Sequence, residues 1–159
     1  MKLLVLSDSH GAVAPMEEAV KRESPDLVLH LGDCWRDAEA LAGRFPELPL
    51  VQVPGNCDYS SQPPERLLEL EGRRILLCHG HTYGVKQSLL NAGFAAQEQD
   101  VDLFLFGHTH KPLVEQRGET LFLNPGSVGL GHPRTYAVVR LLPDRRFRVS
   151  IVPLDKKAR

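Results

Sequence analysis

The sequence predicts a mixed α/β domain built on two packed β-sheets. Three observations lead there. Short, continuously apolar runs alternate with amphipathic helical stretches in the first half of the chain; strand-length segments separated by turn residues dominate the second half; and no linker divides the 159 residues. A chain of this length holds one domain with a substantial core and is too short for two ordinary ones, so residues 1–159 are read as a single unit.

Residues 3–6 are an apolar run too short for a signal segment or a membrane span, and read as a buried first strand. Residues 13–23 have helical amphipathic spacing and stop at Ser24-Pro25, because proline disfavours helix in the residue before it. A second strand is expected at 27–31, a second helix at 35–43 and a third strand at 50–53. Apolar strands joined through helices predict parallel pairing with both faces buried. Segments 66–71 and 73–78 flank Gly72 and predict a hairpin. A long helix is expected over 85–99, weakened by Gly93, followed by a strand at 103–106. Strands at 112–117, 120–124, 135–142 and 147–153 are punctuated by Gly118, Asn124-Pro125-Gly126 and Pro143-Asp144. Residues 155–159 read as a solvated tail.

A hydrophobic content of 42% and a charged content of 25% are those of a globular protein and argue against disorder and membrane insertion. The expected location is the cytoplasm. The net charge of -1 gives no overall pull toward nucleic acid or acidic lipid, so an anionic substrate would need local charge, such as a bound metal. Arg73-Arg74 and Arg145-Arg146 with Arg148 alternate with strand residues and lack interleaved aromatics, so they read as a solvated sheet face rather than a nucleic-acid patch. The three cysteines form no C-x-x-C pair, which disfavours a disulfide framework or a structural zinc knot. Cys34 and Cys78 are expected as small buried hydrophobes.

Five polar clusters, each closing an apolar run, carry the chemistry: Asp8-Ser9-His10, Gly32-Asp33, Gly55-Asn56-Cys57-Asp58, His79-Gly80-His81 and Gly107-His108-Thr109-His110. Residues i and i+2 of an extended segment project to one side, so Asp8 with His10, and His108 with His110, can grip one ion together. Open α/β sheets bind ligands beyond the carboxyl ends of their strands, which would bring all five clusters to one edge. The candidate ligands are Asp8, His10, Asp33, Asn56, His79, His108 and His110. This oxygen and nitrogen set without thiolate suits Mn, with Ni, Co, Fe, Zn or Mg as alternatives. Seven ligands exceed what one ion with an open position needs and suffice for two ions about 3.5–4 Å apart sharing a carboxylate.

In order and spacing these D-x-H, G-D, G-N-x-D, H-G-H and G-H-T-H elements resemble the calcineurin-like metallophosphoesterase superfamily, in particular its small bacterial and archaeal phosphodiesterases; Asn124-Pro125-Gly126-Ser127 extends the likeness. The resemblance implies a four-layer sandwich, two mixed β-sheets flanked by helices. It assigns Asp8, His10 and His110 to one metal and Asn56, His79 and His108 to the other, with Asp33 bridging. The implied reaction is hydrolysis of a small phosphodiester or nucleotide-like substrate by a hydroxide bridging two divalent cations.

Larger members carry histidine where this chain has Cys57, a weak donor in its place; the small phosphodiesterases carry Asn-Cys-Asp, so diesters are the expected substrates. Asn56, Cys57, Asp58 and His81 are the candidates beside the reacting phosphate. Asp58 is expected to orient a ligand or backbone group, with a turn-stabilising aspartate as alternative. His81 is either substrate-facing or a surface residue, His30 a packing residue, His132 a loop residue, and Ser127 part of a tight turn near the site. A phosphomonoesterase or nuclease using the same centre, and a non-catalytic interaction scaffold on this fold, remain the alternative functions. Homo-oligomerisation is left open.

Overall fold

The computed structural model of the protein describes residues 1–155. Ten strands and three α-helices run in the order β1 (Lys2–Leu6), α1 (Val13–Glu23), β2 (Leu27–His30), α2 (Trp35–Arg44), β3 (Leu50–Gln52), β4 (Glu65–Leu70), β5 (Arg73–Cys78), α3 (Leu90–Glu98), β6 (Leu103–Leu105), β7 (Leu113–Arg117), β8 (Thr120–Asn124), β9 (Thr135–Leu141) and β10 (Phe147–Pro153). They form two five-stranded sheets, ordered β10-β9-β1-β2-β3 and β4-β5-β6-β8-β7. In the first, β1, β2 and β3 pair in parallel, as their apolar runs predict, while β9 and β10 add antiparallel. In the second, β5, β6 and β8 are parallel, with β4 and β7 as antiparallel edges.

Strand alternation divides the side chains between two kinds of core. Leu3, Val5 and Leu29 from the first sheet meet Ile75, Leu77, Leu103, Leu105 and Leu123 from the second. The intervening residues face outward onto helices: Leu4, Leu6 and Val28 meet Met16, Ala19 and Leu41, while Leu76, Phe104 and Phe122 meet Leu89, Ala92 and Ala96. The central strands are therefore covered on both faces, which is why their sequences are continuously apolar. The result is the expected helix–sheet–sheet–helix sandwich. Among the described residues no helix is long and apolar enough to cross a membrane.

Three expectations need correction. The helix foreseen at 85–99 starts only at Leu90, after a 3-10 turn at His81–Tyr83 and further turns. Gly84 is left-handed there, and the Ser88 hydroxyl accepts the Leu90 N–H at 3.3 Å in a side-chain turn just ahead of the helix. Val85 and Leu89 are nonetheless buried with α3, so their spacing reported burial rather than helix. Arg73 is not on a solvated face: it is 3% exposed, donates to the carbonyls of Glu71, Leu142 and Arg146, and lies 5.5 Å over the Phe147 ring. Asp155 is no free tail residue, since it accepts from the backbone N–H and the guanidinium of Arg134. The rest of the expected tail, residues 156–159, lies outside the described residues.

Leu77 is fully buried between the sheets, whereas Leu67 on edge strand β4 is 36% exposed. Leu77→Ala should cost about 2–5 kcal/mol in urea unfolding and Leu67→Ala clearly less. Equal costs would contradict the inter-sheet core.

Candidate metal centre

The loops that follow β1, β2, β3, β5 and β6 carry the five polar clusters to the edge where the two sheets meet. Backbone bonds lock adjacent loops: Asp8 N–H donates to the Gly32 carbonyl at 2.9 Å and Gly107 N–H to the His79 carbonyl at 2.8 Å. One side chain spans the gap between sheets, as His79 Nδ1–H donates to the Leu31 carbonyl at 2.8 Å. That bond fixes the tautomer and leaves the Nε2 lone pair pointing into the cluster.

The ligand pairs do not converge by strand pleat, as the i, i+2 argument supposed. Asp8, His10, Asp33, His108 and His110 all have positive φ, between 44° and 70°. Left-handed turns aim the side chains instead, at a backbone cost of about 1–3 kcal/mol per residue. The motif glycines serve close approach. A Cβ at Gly55 would lie 2.0 Å from Asp33 Oδ1, and one at Gly107 would lie 2.0 Å from Ser7 Oγ and 2.6 Å from Asp8 Oδ2.

Two overlapping groups of donor atoms result, Asp8 with His10 and His110, and Asp8 with Asp33 and His79. Asp8 Oδ1 lies 3.2 Å from His110 Nε2, 3.7 Å from His79 Nε2 and 3.8 Å from His10 Nε2. Asp33 Oδ2 sits between the groups, 3.3 Å from His79 Nε2 and 3.7 Å from His10 Nε2. His108 joins through Nδ1, 3.2 Å from His79 Nε2. Asp8 is fully buried; its Oδ2 accepts from Ser7 Oγ and His108 N–H, while Oδ1 has no hydrogen-bond partner among the described residues. A buried bare carboxylate oxygen facing imidazole lone pairs is repulsive unless a cation lies among them. This arrangement fits a divalent metal.

With no cation among them, the same groups favour a proton on His79. Burial opposes the Asp33 carboxylate, but hydrogen bonding and charge from His79 and the Cys57 N–H hold its pKa well below the usual carboxylate range. Burial likewise opposes a charged His79, yet Asp33 and Asp8 raise its pKa. His108 is lowered to about 4, chiefly by burial, with the charges of His79 and Lys86 adding. Burial and Asp33 push the Cys57 thiol up, so it stays protonated.

The remaining candidates fall into different surroundings. The Asp58 carboxylate is occupied by the backbone N–H groups of Asp33, Gly55 and Trp35, at 3.0, 2.8 and 2.9 Å, and so acts on the loops rather than on a substrate. Cys57 N–H donates to Asp33 Oδ1 at 3.0 Å. Asn56 is exposed on that loop, with its amide turned to Cys57 Sγ at 3.7 Å. The His81 ring lies tilted beside those of His79 and His108, with ring centroids 5.5 and 6.1 Å away, and its Nδ1 is buried with no partner among the described residues.

Behind these lies a second layer, of which sequence reasoning placed only the Asn124–Ser127 turn near the site and missed the roles of His30 and Asp37. Gly32 N–H donates to His30 Nδ1, so the His30 proton is on Nε2 and is given to Ser9 Oγ, whose own proton goes to Asp37 Oδ2 at 2.7 Å. Asp37 also accepts from Gly11 N–H, which fixes the turn after His10. Asn124 Nδ2 donates to the Gly107 carbonyl and Thr109 Oγ1, and Ser127 Oγ to the Asp8 carbonyl, so the Asn124-Pro125-Gly126-Ser127 turn braces two ligand loops. Asp37 lay within an ordinary amphipathic helix and His30 within an apolar run; neither carried a signal of its own.

Carboxylates and imidazoles converging at strand ends from two sheets define a metallohydrolase-type site. The chain belongs to the calcineurin-like phosphoesterase superfamily, whose domain matches residues 1–143, and is accordingly a hydrolase of phosphoester bonds with divalent metal ions as the implied cofactor. It is 38% identical over 151 residues to the probable metallophosphoesterase YsnB of Bacillus subtilis, a match covering 91% of this chain and 86% of that protein. With the phosphodiesterase YfcE of Escherichia coli it shares 29% identity over 167 residues, covering 87% of each. A predicted phosphoesterase from Streptococcus pneumoniae superposes with a TM-score of 0.83 at 30% identity over 96% of this chain and 89% of that one. Vps29 from Entamoeba histolytica, at 21% identity and a TM-score of 0.76 over 96% of this chain and 99% of that one, shares the fold.

Two outcomes follow from this geometry. Gly107→Ala should displace Asp8 and abolish metal binding, read as loss of Mn-dependent thermal stabilisation; retained stabilisation would contradict the close approach. His30, with its pKa lowered from 6.5 to about 4 chiefly by burial, stays neutral while an unfolded histidine is already charged. The His30 contribution to stability of the metal-stripped protein should therefore be whole above about pH 6.5 and be lost as pH falls toward 4. NMR titration of the His30 ring near pH 6.5 would overturn this.

Proposed function

We propose that the protein is a phosphodiesterase operating with two divalent cations, of which manganese matches the mixed oxygen and nitrogen donors best. The observation that carries this reading is the buried Asp8 Oδ1, bare of hydrogen bonds and ringed by the imidazoles of His10, His79 and His110. Asp8, His10 and His110 would hold one cation, and Asn56, His79 and His108 the other, with Asp33 Oδ2 between them. To do so, Asn56, an exposed side chain, would turn its amide from Cys57 toward the cluster. When bound, the cations supply Lewis-acid activation of water and neutralise charge on the transferring phosphoryl group. In the net reaction a water oxygen bonds to phosphorus, one ester P–O bond breaks, and the departing alcohol takes one proton.

The chain's own residues supply orientation and proton handling. Asp58 holds the backbone of Asp33 and Gly55 in place. Leu31 O keeps His79 in the tautomer that exposes Nε2. The His81 ring, beside His79 and His108, is the candidate to face the substrate. The protonated Cys57 thiol is a weak donor to a poor leaving group, which favours diesters with good leaving groups over alkyl monoesters. The E. coli relative's name, phosphodiesterase, supports the same preference. A role confined to protein binding would leave the converged donors without a purpose.

The test is to strip metals by chelation, add back Mn, Ni, Co, Zn or Mg, and follow bis(4-nitrophenyl) phosphate and 4-nitrophenyl phosphate. Activity should vanish on chelation, return most strongly with Mn, and favour the diester; activity indifferent to chelation would sink the mechanism. Metal content should fall at both positions in Asp33→Ala and mainly at one in His110→Ala. Each should lose more activity than the roughly 10–100-fold typical of removing an outer partner of a ligand. Loss of a single metal by both variants would break the assignment.

A further inference from the structure

A second feature of the edge bears on what the substrate carries. A cleft of about 570 Å³ opens between the turn at 85–89 and the loop at 109–113. None of the candidate ligands lines it, but Thr109 and Lys111 on its rim alternate along the chain with His108 and His110, so it opens beside the loop that carries them. Its apolar base is made by Val85, Leu89, Phe106 and Leu113, all held by the outer core against α3. Among the described residues its only charged lining residues are Lys86 and Lys111, both exposed. Thr109 Oγ1 accepts from Lys111 N–H and from Asn124 Nδ2, so the Lys111 side of the cleft is braced rather than loose. A larger cleft of about 660 Å³ behind α3 mixes Arg74, Arg117 and Arg145 with Asp100, Asp102 and Glu119, and no residue that lines it belongs to the loops carrying the candidate ligands.

The volume suits a nucleotide-sized group. An apolar floor with two ammonium groups and no acidic residue suits a group that is partly apolar and negatively charged in its own right. A simple diester has one charge, and the metal centre takes it. A second anionic group on the substrate would meet Lys86 and Lys111. Resting on the phosphodiesterase reading above, we infer that this cleft is the subsite for the part of the substrate beyond the scissile phosphate, and that it selects nucleotide-like diesters bearing a second, non-scissile phosphate.

The experiment compares dithymidylate with its 5′-phosphorylated form and with bis(4-nitrophenyl) phosphate, using Mn-loaded wild-type protein and a Lys86→Ala/Lys111→Ala double variant. Wild type should favour the phosphorylated dinucleotide by about tenfold in kcat/KM, the scale of two partly exposed ion pairs. The preference should reside in KM and weaken at about 0.5 M salt, where screening is strong. In the double variant it should disappear, with kcat/KM falling about tenfold more for the phosphorylated dinucleotide than for dithymidylate. Hydrolysis of bis(4-nitrophenyl) phosphate with no preference in wild type, or with the preference intact in the double variant, would overturn this subsite alone. Failure of metal-loaded wild type to hydrolyse bis(4-nitrophenyl) phosphate would overturn the phosphodiesterase reading and the subsite with it.

Discussion

Electrostatic repulsion among lone pairs is the constraint around which the molecule is arranged. Asp8 Oδ1, Asp33 Oδ2 and the Nε2 atoms of His10, His79 and His110 are held within 3.8 Å of one carboxylate or the other. Left to themselves such groups would turn away or take up protons. Two sheets packed through Leu3, Leu29, Leu77 and Leu105 provide the rigid base that prevents it. Apolar burial offsets what the polar edge costs, and the left-handed residues of the edge belong to that cost.

The bracing is as specific as the ligands. Asp58 spends its carboxylate on three backbone N–H groups. Asp37 reaches across from α2 to hold Ser9 and Gly11, and His30 closes the chain of donors behind them. None of these side chains needs to touch a substrate. Each removes a freedom that would let a ligand drift, which is what a site built on loops requires to hold a geometry fixed to fractions of an ångström.

Much of this was legible in the sequence because two signals are local. Unbroken apolar runs such as Leu103 to Phe106 mark strands covered on both faces, and the D-x-H and G-H-T-H elements mark where those strands end. What escaped was whatever depends on backbone conformation or on distant partners. Nothing in Asp8-Ser9-His10 announces left-handed φ values, so these side chains come together through turns and not through the strand pleat the extended-strand argument assumed. Arg73 looked like a surface charge because its three carbonyl partners lie in loops whose approach cannot be read locally. The late start of α3 escaped because Val85 and Leu89 keep helical spacing while sitting in turns.

The first strand is sandwiched between β2, its near neighbour in the chain, and β9, which arrives more than a hundred residues later. Ser127, from just ahead of β9, also secures the Asp8 carbonyl. On a ribosome, β1 therefore waits half-paired while nearly everything else is synthesised, its apolar edge open to other chains. The order of synthesis thus delays completion of this edge: the loop after β1 can be tied early to Gly32 and Asp37, but its last brace, from Ser127, is made only just ahead of β9.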